Sequence, residues 1–293
     1  MAVVISSFLM ATLVAMVYPL SLIPDNQNSL QIRGGREAIP HSYPWMVSVQ
    51  KEYIPNHFEH VGGGTLINAR QVLTAAHVCR EFVFLKKEGR RMQSLLGKHD
   101  VTEVEEGEVA ILIKAVHCFP NVHYEQHNHD ICIMDLVDDV SFTDHIAPAL
   151  LAVPGSEFAG LCILPGWGTN GYVRVTPRLQ EMDVTPRDIS LCRNLEPSFC
   201  TTYMCSKDTA SPTHGDSGGP VMCHFNGELR VTGVHSYNSK NTEKEGKLQF
   251  DLFVNRDILV GILMGNQDIS AEITSNGSDG LRHLPVLSPR TVD

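Results

Sequence analysis

Gly215-Asp216-Ser217-Gly218-Gly219-Pro220 sets one hydroxyl among glycines, directly after a carboxylate. A serine hydroxyl is a weak nucleophile at neutral pH and becomes useful only with a base within hydrogen-bond reach. Small flanking residues let the main chain turn tightly and let a carbonyl approach the N–H groups of Gly215 and Ser217. Paired donors of that kind form an oxyanion hole, where one donor contributes roughly 3–4 kcal/mol to a transition state. A plain Gly/Ser turn would explain Ser217 alone; chemistry requires a histidine and a second carboxylate elsewhere. Both are present. Thr74-Ala75-Ala76-His77 closes an apolar run that includes Leu66-Ile67 and Val72-Leu73, and Asp130 opens the strand-like Ile131-Cys132-Ile133-Met134-Asp135-Leu136.

In the order His77, Asp130, Ser217 these segments resemble the trypsin/chymotrypsin family of serine proteases, over residues 32–266. The resemblance implies that His77 acts as general base toward Ser217 and then as general acid toward the leaving amine. Asp130 would hold the imidazole in its working tautomer, and the N–H groups of Gly215 and Ser217 would hold the oxyanion. The implied reaction is peptide hydrolysis through an acyl-enzyme, with protein or peptide substrates, protein protease inhibitors as further partners and no cofactor. An esterase of the α/β-hydrolase type is excluded by chain order, since its nucleophile would precede the acid and the histidine. The competing reading is an inactive protease homologue that binds or regulates; Gln31, Asn238 and lost disulfides favour it, and the intact His77, Asp130 and Ser217 oppose it.

By the same resemblance Ser211 stands at the base of the primary pocket and Ser236-Tyr237-Asn238 is the strand that pairs with the substrate backbone. An uncharged base offers no ion pair to Lys or Arg, and Asn238 in place of a glycine narrows the mouth. The expected preference is therefore chymotrypsin- or elastase-like. The eight cysteines suit disulfides. The family pattern pairs Cys162 with Cys223 and Cys192 with Cys205. Two family bridges are broken: Gly62 stands where Cys79 would find its partner, and Thr213 stands at one end of the pocket brace. Cys118, Cys132 and Cys200 are left over. Cys132 reads as a buried thiol, with a Cys79–Cys118 bridge as the alternative.

These residues need a scaffold. From Tyr43-Pro44-Trp45 onward, short alternating apolar runs separated by Gly, Pro and Asn turns read as strands, with no long helical period before the C-terminus. With the resemblance, the expected fold is all-β: two antiparallel six-stranded β-barrels, residues 32–146 and 147–256, with the active site in the cleft between them. A C-terminal helix is expected at 257–266, and the tail 267–293, with the sequon Asn276-Gly277-Ser278, reads as a flexible extension. Residues 1–22 carry an uncharged apolar run too short to span a bilayer comfortably and read as a signal peptide, with a membrane anchor as the alternative. Residues 23–31 read as a propeptide. Cleavage after Gln31 would free the Ile32 ammonium to bury beside Asp216. Gln31 departs from the basic residue usual in family zymogens, so a trypsin-like activator is not expected. The chain is thus expected to be secreted and extracellular.

Of the 293 residues 43% are hydrophobic and 19% charged, an ordinary globular balance. The net charge of −10 argues against nucleic acid as partner, and no membrane partner is expected. Residues 96–108 resemble a loop that binds calcium in some relatives, but Lys98 brings its own positive charge, so the loop reads as acidic and solvated. His117, His123, His127 and His129 have spacing that would suit zinc and read instead as a polar loop over the cleft. No metal is expected.

Overall fold

The computed structural model describes residues 35–118, 130–152, 161–168, 175–186, 203–206, 213–240, 249–253 and 271–272. In chain order the first elements are β1 (Arg36–Glu37), β2 (Met46–Ile54), β3 (His57–Asn68), β4 (Gln71–Thr74) and the helix α1 (Ala76–Lys87). There follow β5 (Met92–Leu96), β6 (Val109–Cys118), β7 (Cys132–Leu136), β8 (Cys162–Gly166) and β9 (Gln180–Pro186). The last are β10 (Tyr203–Ser206), β11 (Pro220–Phe225), β12 (Glu228–Lys240), β13 (Gln249–Phe253) and β14 (Ala271–Glu272).

Strands β6-β5-β2-β3-β4-β7 pair antiparallel in that order, and β6 closes on β7. This is the first barrel. Strands β9-β10-β13-β12-β11-β8 form a second ring that closes through β8 and β9. Local chemistry sets the corners. Asn226 and Gly227, with φ of 50° and 87°, join β11 to β12 in the left-handed conformation that a tight hairpin demands. Closure leaves no free barrel edge, which suits short strands with apolar residues on the inner face.

The larger core joins the inner faces of the first barrel to residues of the second, among them Trp167, Leu179, Met222, Val231 and Val234. Trp167 is fully buried and donates its indole N–H to the His99 carbonyl at 2.9 Å, fastening one barrel to the other. A smaller core of Leu164, Met182, Val184, Val221 and Phe225 fills the second barrel.

Three expectations are corrected. No long helix was expected before the C-terminus, yet α1 runs twelve residues. Cys132 is not a thiol: it is bridged to Cys118, directly opposite it on β6. Cys79 is the buried thiol, and a Cys79–Cys118 bridge is excluded in this pairing. The third correction concerns the acidic loop, which folds on itself. Lys98, 5% exposed, donates to the Glu103 carbonyl and pairs with Glu108 at 2.5 Å. Glu105 takes the N–H groups of His99 and Asp100.

Cys162 bridges Cys223 as expected, across the register of β8 and β11. Cys192 lies outside the described residues, as do the 257–266 segment and residues 1–34. Within the tail, Ala271 and Glu272 pair with Cys118 and His117 of β6. The rest of that tail is also outside the described residues. Among the described residues no helix is long and apolar enough to cross a membrane.

Candidate active site

The base of the site is the start of α1. Ala75, the residue before the helix, offers no side-chain cap. Asp130 supplies one from β7's approach: its Oδ1 accepts the His77 backbone N–H at 2.8 Å. The carboxylate thereby sits where a helix N-terminus favours negative charge. Its Oδ2 accepts His77 Nδ1 at 2.6 Å and the Ser236 hydroxyl at 2.5 Å. With Nδ1 donating to a carboxylate, Nε2 of His77 is left as the basic atom. Asp130 is 1% exposed, whereas the His77 side chain is 28% exposed.

Ser217 arrives from the second barrel. Its Oγ donates to the Ser236 carbonyl at 3.3 Å, so Ser236 on β12 links the serine loop to Asp130. The loop is fixed on both sides: Gly63 of β3 donates to the Ser217 carbonyl at 2.8 Å, and Gly218 donates to the His235 carbonyl at 2.7 Å. Gly215 has φ of 100°, a conformation that residues with a Cβ rarely adopt. Its carbonyl is held by His60 Nε2 at 2.9 Å, and His60 Nδ1 meets the Ser48 hydroxyl at 2.8 Å. A carbonyl only accepts, so His60 carries its proton on Nε2 and accepts from Ser48. Burial holds the His60 pKa down to about 4, and the ring is neutral at physiological pH. His60 thus anchors the Gly215–Asp216 peptide, which lies between the two N–H groups expected in the oxyanion hole. Sequence reasoning passed over His60; its one signal is a histidine two residues before Gly62-Gly63-Gly64.

Asp216 is fully buried. Its oxygens accept the backbone N–H groups of Gly168 and Thr213, each at 2.7 Å, and the Thr213 hydroxyl at 3.3 Å. A Cβ on Gly166 or Gly168 would overlap this carboxylate, which is why Trp167 is flanked by glycines. Burial outweighs those donors and raises the Asp216 pKa to about 6. Ile32 and Gln31, its expected activation partners, lie outside the described residues, as does Ser211. Tyr237 and Asn238 are placed by backbone alone: Asn238 pairs with Asp251 of β13, beside a bulge that begins at His235.

Near Asp130 lies a group of three sulfurs. Cys79, Cys118 and Cys132 are buried and their Sγ atoms all lie within 4.8 Å of one another. Two are spent in the disulfide, so the cluster holds one thiol, whose pKa burial pushes well above its usual value. Such a thiol is inert rather than nucleophilic. Gly62, which replaces the expected partner of Cys79, is backed by Val78: a Cβ there would meet the Val78 methyls at 3.0 and 3.2 Å and the Ser217 carbonyl at 2.7 Å. The apparent extra residue Val78 therefore fills the space that the missing side chain would take. Among the four histidines before Asp130, His117 is engaged by Asp135 at 2.7 Å. The other three lie outside the described residues.

The comparisons with known proteins agree with this architecture. The family profile described as Trypsin matches residues 32–256. Granzyme M of Rattus norvegicus is 32% identical over 226 residues, 74% of this chain and 82% of that protein. The chain belongs to the trypsin family of serine-type endopeptidases.

Proposed function

We propose that the chain is a secreted endopeptidase that cleaves peptide bonds through an acyl-enzyme formed on Ser217. The observation that carries this reading is the run of hydrogen bonds from His77 to Asp130, on to Ser236 and from there to Ser217. His77 Nε2 takes the Ser217 proton as Oγ attacks the scissile carbonyl. Asp130 keeps Nδ1 protonated and stabilises the imidazolium that forms. The N–H groups of Gly215 and Ser217 donate to the developing oxyanion, and His60 holds the Gly215 carbonyl on the chain between them. His77 then gives its proton to the leaving amine, and water repeats the cycle to release the acid.

Activation is read from Asp216. Its carboxylate is buried against neutral donors alone among the described residues, so an ammonium freed at Ile32 would relieve a desolvation that those donors do not offset. Freeing that ammonium calls for an enzyme that cuts after Gln31. Preference is read from Ser211 and Asn238 by resemblance: an uncharged pocket base with a narrowed mouth, suited to medium apolar residues rather than Lys or Arg.

Ser217→Ala tests the nucleophile, since it should abolish hydrolysis while the cooperative unfolding transition persists. Hydrolysis by the pure variant would remove Ser217 from that role. A peptide library should show no enrichment of Lys or Arg before the cut, and a strong basic preference would overturn the pocket reading.

A further inference from the structure

α1 carries more than His77. Its buried side is Ala76, Val78, Cys79 and Leu85, while Arg80, Phe84 and Lys87 are exposed, Phe84 by 51%. At 3.6 residues per turn, positions 77, 80, 84 and 87 follow one another along one side of a helix. From His77 to Lys87, at about 1.5 Å per residue, this face extends about 15 Å from the imidazole.

The neighbouring hairpin of β2 and β3 is tied into the same surface. Lys51 pairs with Glu81 of α1 at 2.9 Å. Arg90, in the turn after the helix, donates twice to the Glu52 carbonyl, and Arg91 holds the Glu52 carboxylate. Among the described residues the cation–ring contacts all fall here. Arg80 stands over Phe84 at 5.7 Å, Lys86 over Phe82 at 5.8 Å, and Arg91 over Phe58 at 5.5 Å. Tyr53 lies under both Lys51 and Arg90.

The charge is local. Residues 76–91 hold five cations (Arg80, Lys86, Lys87, Arg90 and Arg91) against the two carboxylates Glu81 and Glu88, in a chain of net charge −10. Glu81 and Glu88 are taken by Lys51 and Arg90. The helix dipole accounts for Lys86 and Lys87 in the last turn, but not for Arg80 in the second turn or for an exposed Phe84. Nor does it account for aromatic rings and cations collected on one side.

Direction follows from the chemistry proposed above, on which this inference rests. His77 protonates the leaving amine, so the departing half of the substrate lies on the side where α1 begins. We propose that the Arg80–Phe84–Lys87 face, bordered by Lys86, docks an acidic segment of a protein substrate on the C-terminal side of the cut. Arg80, Phe84 and Lys87 stand about 4.5, 10.5 and 15 Å along the axis from His77, and an extended peptide advances about 3.3 Å per residue, so that segment covers about the second to the fifth residue past the scissile bond. Acidic side chains would meet the cations, and an apolar residue would lie on Phe84.

The test uses the full chain with its N-terminus freed at Ile32. Two internally quenched peptides share every residue up to the cut; beyond it, positions two to five are Asp/Glu in one and Ser/Asn in the other. We expect kcat/KM to be about tenfold higher for the acidic peptide at low salt, mostly through KM, as several exposed charge pairs acting together allow. The gain should vanish in the Arg80→Ala/Lys86→Ala/Lys87→Ala variant and at about 0.5 M salt, where the screening length falls to a few ångströms. An ester with no amino acid beyond the cut should be hydrolysed equally by both proteins, which shows that the active site is intact. Equal kcat/KM for the two peptides in an enzyme that turns over the ester overturns the docking surface alone, as does an acidic preference that survives in the variant. Retention of the surface's cations for a heparin-type polyanion, with no peptide preference, also overturns it. Failure to hydrolyse the ester would instead overturn the protease reading.

Discussion

Two buried carboxylates lie behind the candidate site, and they are held in opposite ways. Asp130 meets an imidazole, a hydroxyl and one backbone N–H. Asp216 meets two backbone N–H groups and a hydroxyl, and no ion pair among the described residues. In the proposed mechanism the first arrangement orients a group that must gain and lose a proton. The second leaves the cost of burial uncompensated, as the pKa raised to about 6 records. A carboxylate held by neutral dipoles can take a cation later; one already engaged by a titratable ring cannot change partner without disabling it.

The sharpest way to break this contrast is at Asp130. Asp130→Asn should keep the shape and lose the acceptor that fixes the His77 tautomer, lowering kcat by about 10⁴-fold. An ester assay on the refolded variant measures it, and a loss under tenfold would reduce Asp130 to a structural role. Asp216 should show itself in stability. Its folded pKa lies above the unfolded value of 3.8, so the folded state binds the proton more readily and stability falls as pH rises from about 4 to about 6. That difference corresponds to about 3 kcal/mol. Urea unfolding of the uncleaved chain across that window should show the slope, and Asp216→Asn should flatten it. Freeing Ile32 should also flatten it, because the ammonium would restore the charged form.

A smaller effect is expected where a cation is already built in. Lys98→Met removes the ammonium from Glu108 and the Glu103 carbonyl and should cost about 2 kcal/mol, since Glu108 keeps the Glu105 N–H and some solvent. Thermal unfolding reads it; no change would show that the loop is held by Glu105 alone. Least of all should come from Cys79→Ala, at about 1 kcal/mol with activity unchanged, because its thiol makes no bond. Peptide mapping without reduction should recover Cys118 joined to Cys132; a Cys79-linked peptide would contradict the pairing.

Much of this molecule was legible in advance because the relevant signals are local. The glycines around Ser217 and Trp167 mark places where backbone and carboxylate come close, and the alternating runs mark strands that must close on themselves. What escaped was set across the fold. His60 reaches Gly215 over 155 residues, and no local pattern announces it. The Cys118–Cys132 bridge depends on the register of β6 against β7, which cysteine spacing does not contain. The helix α1 is hidden in the sequence because Phe82-Val83-Phe84-Leu85 is a contiguous apolar run without a helical period. In the fold only Leu85 of that run is buried, and Phe84 is turned outward.

The central claim is that Ser217 is an activated nucleophile, and a fluorophosphonate probe tests it most directly. The probe should be applied to protein whose N-terminus has been verified at Ile32, with Ser217→Ala as control. Covalent labelling confined to the wild type is the predicted result. A folded, correctly processed protein that takes no label would contradict the account and leave a binding protein built on a protease fold.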